Sequence, residues 1–248
     1  MAYQMSKRQL LMSMAYGQAM IGVLTVLNVF FPEYLGYTFI IFIIGMGVFA
    51  ALSAKTMLKH VRSREAKEIR SGKLLLKADP KVVRELQAAD AEKLTKEMMP
   101  AAKAMLVPFL GLIVVFAWYP TYFGYATPIA RSTDDVLVRV LIFLAGYEIP
   151  YSIIMGLNIL SRKALKEMVQ VVQSYEVYDK GILGPGIVEL FPLDTSKYRV
   201  VYSPVRKFVE LRKIGKPVVK FRFYTKRYER FVDILKRYGG VKNVERVE

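Results

Sequence analysis

Residue patterning alone predicts an α-helical membrane protein: four transmembrane helices, a cytoplasmic helical hairpin between the second and third, and a C-terminal α+β cytoplasmic domain with an antiparallel sheet capped by a helix. Three observations lead there. Four apolar stretches, at 10–31, 35–54, 105–125 and 136–160, each approach the ~20 residues that a helix rising ~1.5 Å per residue needs to cross ~30 Å of hydrocarbon. With a cytoplasmic N-terminus, the inside segments 1–9, 55–103 and 161–248 hold every Lys and Arg except Arg131 and Arg139, which satisfies the positive-inside rule. After about Val171 the apolar period changes from helical to alternating. The location that follows is the cell membrane, multi-pass, with both termini cytoplasmic.

The first two spans are joined by Phe31-Pro32-Glu33-Tyr34, a connection too short for anything but a tight outer turn. Small residues line both helices: Ala15, Gly17, Ala19 and Gly22 in the first, Gly45, Gly47, Ala50, Ala51 and Ala54 in the second. They let helix backbones approach closely in lipid. Beyond Ala54 the chain becomes charged while Met57, Leu58, Val61 and Ile69 keep a helical spacing. A break is expected at 72–79, since Asp79-Pro80 offers an N-cap followed by proline at the first helical position. A second amphipathic helix then runs through Val82, Val83, Leu86, Ala89, Leu94 and Met98 back to the membrane. Residues 55–103 thus read as the helical hairpin.

The third span carries Trp118, Tyr119 and Tyr122 toward its outer end, as interface anchors. In the outer loop that follows, Ser132 or Thr133 is placed to cap the fourth span, and Asp134 and Asp135 suit its N-terminus. In the tail, strands are expected at 171–178, 186–191, 198–202, 206–212 and 218–224. Val219, Phe221 and Phe223 alternate with Lys220, Arg222 and Tyr224, the pattern of one buried and one wet face. A last amphipathic helix places Tyr228, Phe231, Val232, Leu235 and Tyr238 on one side and ends at Gly239-Gly240.

The chain has no cysteine and a single histidine, His60, in a basic stretch below the second span. Without thiols, disulfides and thiolate nucleophiles are excluded, a zinc site of Cys and His is nearly so, and a Ser-His-Asp triad would depend on His60 alone, which reads as a solvated interface residue rather than a catalytic one. Neither a glycine-rich phosphate loop nor paired carboxylates at metal spacing occur. The sequence therefore predicts a non-enzymatic protein without a cofactor.

Glu148 is the one ionisable side chain near the middle of a span, where charge costs at least ~2.5 kcal/mol on insertion scales. It reads either as a polar point in a groove or proton path, or as a neutral carboxyl that stitches helices together. Its candidate neighbours are Gln18, Asn28, Ser53, Tyr147 and Arg139; Arg139 also reads as an anchor that snorkels to the headgroups. Lys226, Arg227, Arg230, Lys236 and Arg237 form the basic side of the last helix. They suit anionic lipid or ribosomal RNA, or express only the inside bias. Met98, Met99 and Met105 form an adaptable apolar contact for a client, or fill a helix junction.

A span leading into a cytoplasmic hairpin, a methionine-containing return and two further helices resembles the core of the YidC/Oxa insertases and of the third subunit of the ER membrane complex. The resemblance is carried by residues 35–160, chiefly Glu97-Met-Met-Pro-Ala-Ala-Lys-Ala-Met-Leu-Val-Pro-Phe-Leu-Gly111 running on to Trp118, and Tyr151-Ser-Ile-Ile-Met-Gly156. It implies a groove that shelters a nascent membrane segment without an energy source, with the ribosome or a nascent membrane protein as partner. The chain departs from that pattern in its extra N-terminal span, its folded tail and the lack of an inner-leaflet Arg or Lys within a span. The tail resembles small pleckstrin-like domains, which implies an assembly or lipid-facing module binding anionic lipid or other membrane subunits. The whole chain is similar to an archaeal multi-pass membrane family, a resemblance that implies no activity. Three functions follow as expectations: an insertase-like assembly factor, a membrane scaffold or complex subunit, or a small proton-coupled transporter using Glu148.

Overall fold

A computed structural model describes residues 7–34, 36, 37, 40, 44, 45, 47, 48, 63–215 and 217–248. His60, Ser53 and most of the expected second span lie outside the described residues. The chain divides into a membrane unit, 2–54 with 104–164, and a sheet unit, 55–103 with 165–248. Both are assembled from separated pieces of chain.

In the membrane unit, α1 spans Lys7–Phe30 and a single 3-10 turn follows at Pro32–Tyr34. Helix α4, Ala91–Ser132, starts in the sheet unit and contributes residues 104–132 here, and α5 covers Val136–Ala164. Among the described residues these three helices are long and apolar enough to cross a membrane. Their lipid-facing sides expose large apolar residues such as Phe116 at 69% and Ile113 at 66%, an arrangement that water would penalise and hydrocarbon does not. Ile21, Leu24, Phe123, Phe143 and Tyr147 are buried between the helices.

Two local expectations change. The third span was expected to end near Tyr125, but α4 continues through Pro128 to Ser132, so the outer connection shrinks to Thr133–Asp135. The cap of α5 is neither Ser132 nor Thr133: Asp135 Oδ1 accepts from Leu137 N at 2.8 Å and Val138 N at 3.4 Å. Trp118 and Tyr122 serve as helix–helix contacts. Their rings stack 4.9 Å apart, Trp118 Nε1 donates to Gly146 O at 3.0 Å, and Tyr122 Oη donates to Ile142 O at 2.9 Å. A side chain at Gly146 would meet the Phe123 ring at 2.6 Å, so the absence of a Cβ there admits the aromatics. Within the small-residue stripe of α1, Gly17 does the same for Tyr151, whereas Gly22 faces open space and Ala15 and Ala19 are exposed.

The sheet unit opens with α2, Arg64–Arg70, capped by Ser63, followed by strand β1, Leu74–Lys77, and α3, Pro80–Ala89. Asp79 caps α3 by accepting from Lys81 N at 2.9 Å. The segment expected as a helical hairpin therefore carries a strand between its helices. That strand joins the tail: β1 is the edge of a four-stranded antiparallel sheet, β1-β3-β4-β5, with β3 at Glu176–Tyr178, β4 at Gly181–Gly184 and β5 at Ile187–Leu190. Three leucines in succession, Leu74–Leu76, lack helical amphipathicity but suit a strand with a sheet edge to join. Gly181 opens β4 with φ +156.

A second sheet has the order β2-β8-β7-β6-β9, formed by Glu167–Val171, Val218–Tyr224, Phe208–Lys213, Tyr198–Ser203 and Val244–Arg246. It is not wholly antiparallel as expected, since β2 runs parallel to β8 and β9 parallel to β6. The intervening helices and strands supply the long crossovers that parallel neighbours need. Helix α6, Tyr228–Arg237, buries Phe231, Val232, Ile234 and Leu235 against one face. There Phe223 meets Tyr175 and Phe231 edge-on at 5.0 and 5.4 Å. Tyr238 stays exposed.

Candidate functional site

Within the membrane unit, α5 places Glu148 opposite α1, and Gln18 Nε2 donates to Glu148 Oε1 at 3.1 Å and Oε2 at 3.2 Å. Ser152, one turn along α5, adds a 3.3 Å donor to Oε1. A carboxamide and a hydroxyl thus occupy the carboxyl oxygens without a formal countercharge. Gln18 is exposed and Glu148 half-buried, so the cluster borders the outside of the described helices.

Two other expected neighbours, Asn28 and Arg139, have their bonds elsewhere. Asn28 is fully buried, donating to the Tyr147 hydroxyl and to Leu24 O at 2.9 Å. Arg139 lies nine residues before Glu148, ~13 Å along the helix, where Nε donates to Thr133 O at 2.8 Å and Nη2 approaches Asp134 at 3.9 Å. It holds the outer connection. Near that end Trp118, Tyr122, Tyr125, Ile129 and Ile142 line an open apolar groove of about 350 Å³ that does not include Glu148.

The sheet unit contains a second polar constellation, one that the alternation of β8 misassigns. Arg222 and Tyr224, expected on a wet face, are 2% and 0% exposed. The reason is that the segment containing α3 and the start of α4 covers this face, so the sheet is buried on both sides. Asp90, between α3 and α4, is 7% exposed and accepts both nitrogens of the Arg206 fork, Nε at 2.6 Å and Nη2 at 2.8 Å. It also accepts from the Tyr224 hydroxyl. Glu97, two turns along α4, accepts from Arg222 Nη2 at 2.6 Å and from Arg206 Nη1.

On the sheet, Glu210 of β7 lies opposite Arg222 of β8 in register, accepts its Nε at 2.9 Å, and takes Arg212 Nε at 2.7 Å. Phe208, in the same row as Glu210, offers its ring to Arg222, 4.1 Å from the centroid, and to Arg206 at 5.1 Å. Three guanidiniums face three carboxylates, a balanced layer in which bidentate geometry offsets desolvation. Arg222 Nη1 lacks a hydrogen-bond partner among the described residues and sits 3.7 Å from Asp90.

The electrostatics follow. Burial alone would raise the Glu97 carboxyl, but hydrogen bonds and charge from Arg206 and Arg222 outweigh it and hold the group below its ordinary 4.5. Tyr224 is pushed up by burial and by its bond to Asp90. Burial would lower Arg206 and Arg222, yet their carboxylate partners raise both. Such locked ionisation suits a structural layer better than proton transfer. The sequence signal was present, if faint: charged residues two apart in adjacent strands, Glu210 and Arg212 against Lys220 and Arg222, with Glu97 seven residues after Asp90.

Of the basic residues proposed for lipid or RNA contact, Lys226, Arg227, Arg230, Lys236 and Arg237 are all exposed, and Lys226 bridges Glu85 at 3.2 Å. Met98 and Met99 are exposed on α4, at 39% and 44%; the side chain of Met105 lies outside the description. Among the described residues no group of three or more His, Asp or Glu side chains is arranged to hold a metal ion. A family described as "Predicted membrane protein (DUF2208)" matches residues 9–238. No curated protein and no solved structure is significantly similar.

Proposed function

We propose that this chain, which belongs to the DUF2208 family of predicted membrane proteins, is a non-enzymatic membrane scaffold or complex subunit, anchored by its helices and presenting the sheet unit to partners on the cytoplasmic side. The observation that carries the reading is the buried layer of Asp90, Glu97, Arg206, Glu210 and Arg222. Residues before the last two spans and residues after them are fastened into one folded body. A rigid platform is what such fastening produces. The charge asymmetry of the sequence supports its cytoplasmic placement.

A pleckstrin-like role, with the sheet unit receiving lipid or protein, belongs to this proposal. Its support is the exposed basic side of α6 rather than topology, since the parallel β2–β8 and β6–β9 pairs depart from an antiparallel module. The insertase-like reading is the second, favoured by the half-exposed Glu148–Gln18 pair inside the spans and by exposed Met98 and Met99. Against it, β1 commits the middle of the expected hairpin to the sheet, and Asp90 and Glu97 commit the start of α4.

Photocrosslinking in native membranes separates the two. A crosslinker at Lys207 or Arg230 should give discrete adducts with a stable membrane or peripheral protein, and one at Met98 or Gln18 should give none with nascent chains. Puromycin-sensitive adducts at Met98 or Gln18 would replace the scaffold reading with the insertase-like one.

A further inference from the structure

We infer that the end of the five-stranded sheet bearing the β7–β8 turn is a lipid-contact surface, where Ile214 and neighbouring lysines engage anionic headgroups of the bilayer that the chain itself spans. The inference rests on membrane anchoring and not on the scaffold role. Only Leu165 and Lys166 separate the end of α5 at Ala164 from the start of β2 at Glu167. At ~3.6 Å per extended residue, the start of β2 lies within ~11 Å of the end of that span.

Strand β8 runs parallel to β2 from the same end, with Glu167 opposite Val218 and Val218 N donating to Lys166 O at 2.9 Å. The described residues of the connection that precedes β8, 213–215 and 217, therefore lie at the end of the sheet where β2 begins, the end that the chain enters two residues after α5. This connection exposes Ile214 at 49%, and Lys213 and Lys166 of the same unit are exposed too. Neither lysine has an ion-pair partner among the described residues.

Helix α6 brings more charge to the same end. It begins beside Tyr202, where Tyr202 and Tyr228 stack at 6.2 Å, and finishes where Gly239 O accepts from Leu193 N, close to the start of β6, whose Tyr198 pairs with Lys213. Arg237 and the exposed Tyr238 thus join the Ile214 end. Lys226 and Arg227 follow the far end of β8, ~20 Å away at ~3.3 Å per residue. The basic side of α6 is accordingly divided between two ends of the sheet. An exposed apolar side chain that shares one end of the sheet with exposed cations matches the boundary between headgroups and acyl chains, where both components gain.

Because the chain has no cysteine, the full-length protein with Ile214→Cys can carry one environment-sensitive fluorophore. Val205→Cys, in the exposed β6–β7 turn at the opposite end of the sheet, is the control. Both are reconstituted in phosphatidylcholine vesicles with or without phosphatidylglycerol, with iodide on both sides. In anionic vesicles the label at 214 should be shielded from iodide and quenched by nitroxide-bearing lipid, while the label at 205 stays accessible. Lys213→Gln and Lys166→Gln should each weaken that shielding by about fivefold. Equal access at 214 and 205 in anionic vesicles, or equal shielding at 214 in both vesicle types, would overturn the inference. Neither result would touch the crosslinking test of the scaffold role.

Discussion

The two units treat polar and apolar side chains in opposite ways. The sheet unit hides Phe208, Phe223, Phe231 and Tyr224 and encloses an ionic layer, while the membrane unit turns Phe116, Ile113 and Leu137 outward and joins its described helices by single hydrogen bonds such as Asn28 to Tyr147 and Trp118 to Gly146. The difference teaches what each solvent demands. In water, burial of aromatic surface drives folding, and buried charge is tolerated only when fully paired. In hydrocarbon, apolar exposure is free, and helices associate through close packing at glycine and through single hydrogen bonds.

The largest break in that comparison should come from Arg222→Ala. It leaves Glu210, fully buried, with Arg212 as its remaining partner, and removes a donor from Glu97. Breaking a buried pair from one side costs ~3–5 kcal/mol, which chemical unfolding of the detergent-solubilised chain should register as a loss of sheet signal. The combined Arg222→Met and Glu210→Leu variant should recover part of that loss. A full-size loss in the combined variant would show that the layer matters for something other than charge pairing.

Acid sharpens the same point. The Glu97 carboxyl is lowered by Arg206 and Arg222 against the pull of burial, so folding favours its ionised form. The stability it contributes is complete above the unfolded value near 4.5 and disappears as pH falls through the lower folded value. Unfolding curves taken down from pH 5 should weaken in the native chain, and Glu97→Gln should be less stable at pH 7 with a shallower acid slope. An unchanged slope would remove Glu97 as the acid-sensitive group.

In the membrane unit, Gly17→Leu should do the most damage, because a Cβ there already meets the Tyr151 ring at 2.5 Å. Overpacking of this kind costs ~1–3 kcal/mol. Denaturation in mixed micelles should show α1 parting from α5 while the sheet signal is untouched. A smaller effect is expected at Gln18 and Glu148, where a double-mutant cycle should return a coupling of ~0.6 kcal/mol, the usual size for such bonds in lipid. A coupling several times larger would mean that this pair, and not glycine packing, joins the helices.

Much of this architecture could be read from the chain. Length and apolarity located α1, the membrane part of α4 and α5, and alternation located β6, β7 and β8 to within a few residues. Gln18 was one of five candidate neighbours of Glu148, and it is the one of them that hydrogen-bonds the carboxylate among the described residues. Two of the misreadings come from dependence on partners distant in sequence. Arg222 looked wet because its acceptor Glu97 is 125 residues away, and Leu74–Leu76 looked like a helix break because their partner strand is a hundred residues on. Asn28 and Arg139 were assigned to Glu148 by chemistry alone, whereas helix rotation sends one to Tyr147 and rise sends the other to Thr133. Local patterning records the solvent a residue prefers; it does not record which far segment will supply that solvent.

If α4 and α5 cross the bilayer, they must return the chain to the side it left, because β1 precedes both helices and pairs with β3, which follows them. Single cysteines at Glu68, Asp134 and Lys242, all exposed, give the direct measurement when treated with a maleimide that cannot cross lipid, before and after the membrane is opened. Positions 68 and 242 should react together from one side and position 134 from the other. Labelling of 68 and 242 from opposite sides, or of 134 from the same side as both, would contradict that arrangement.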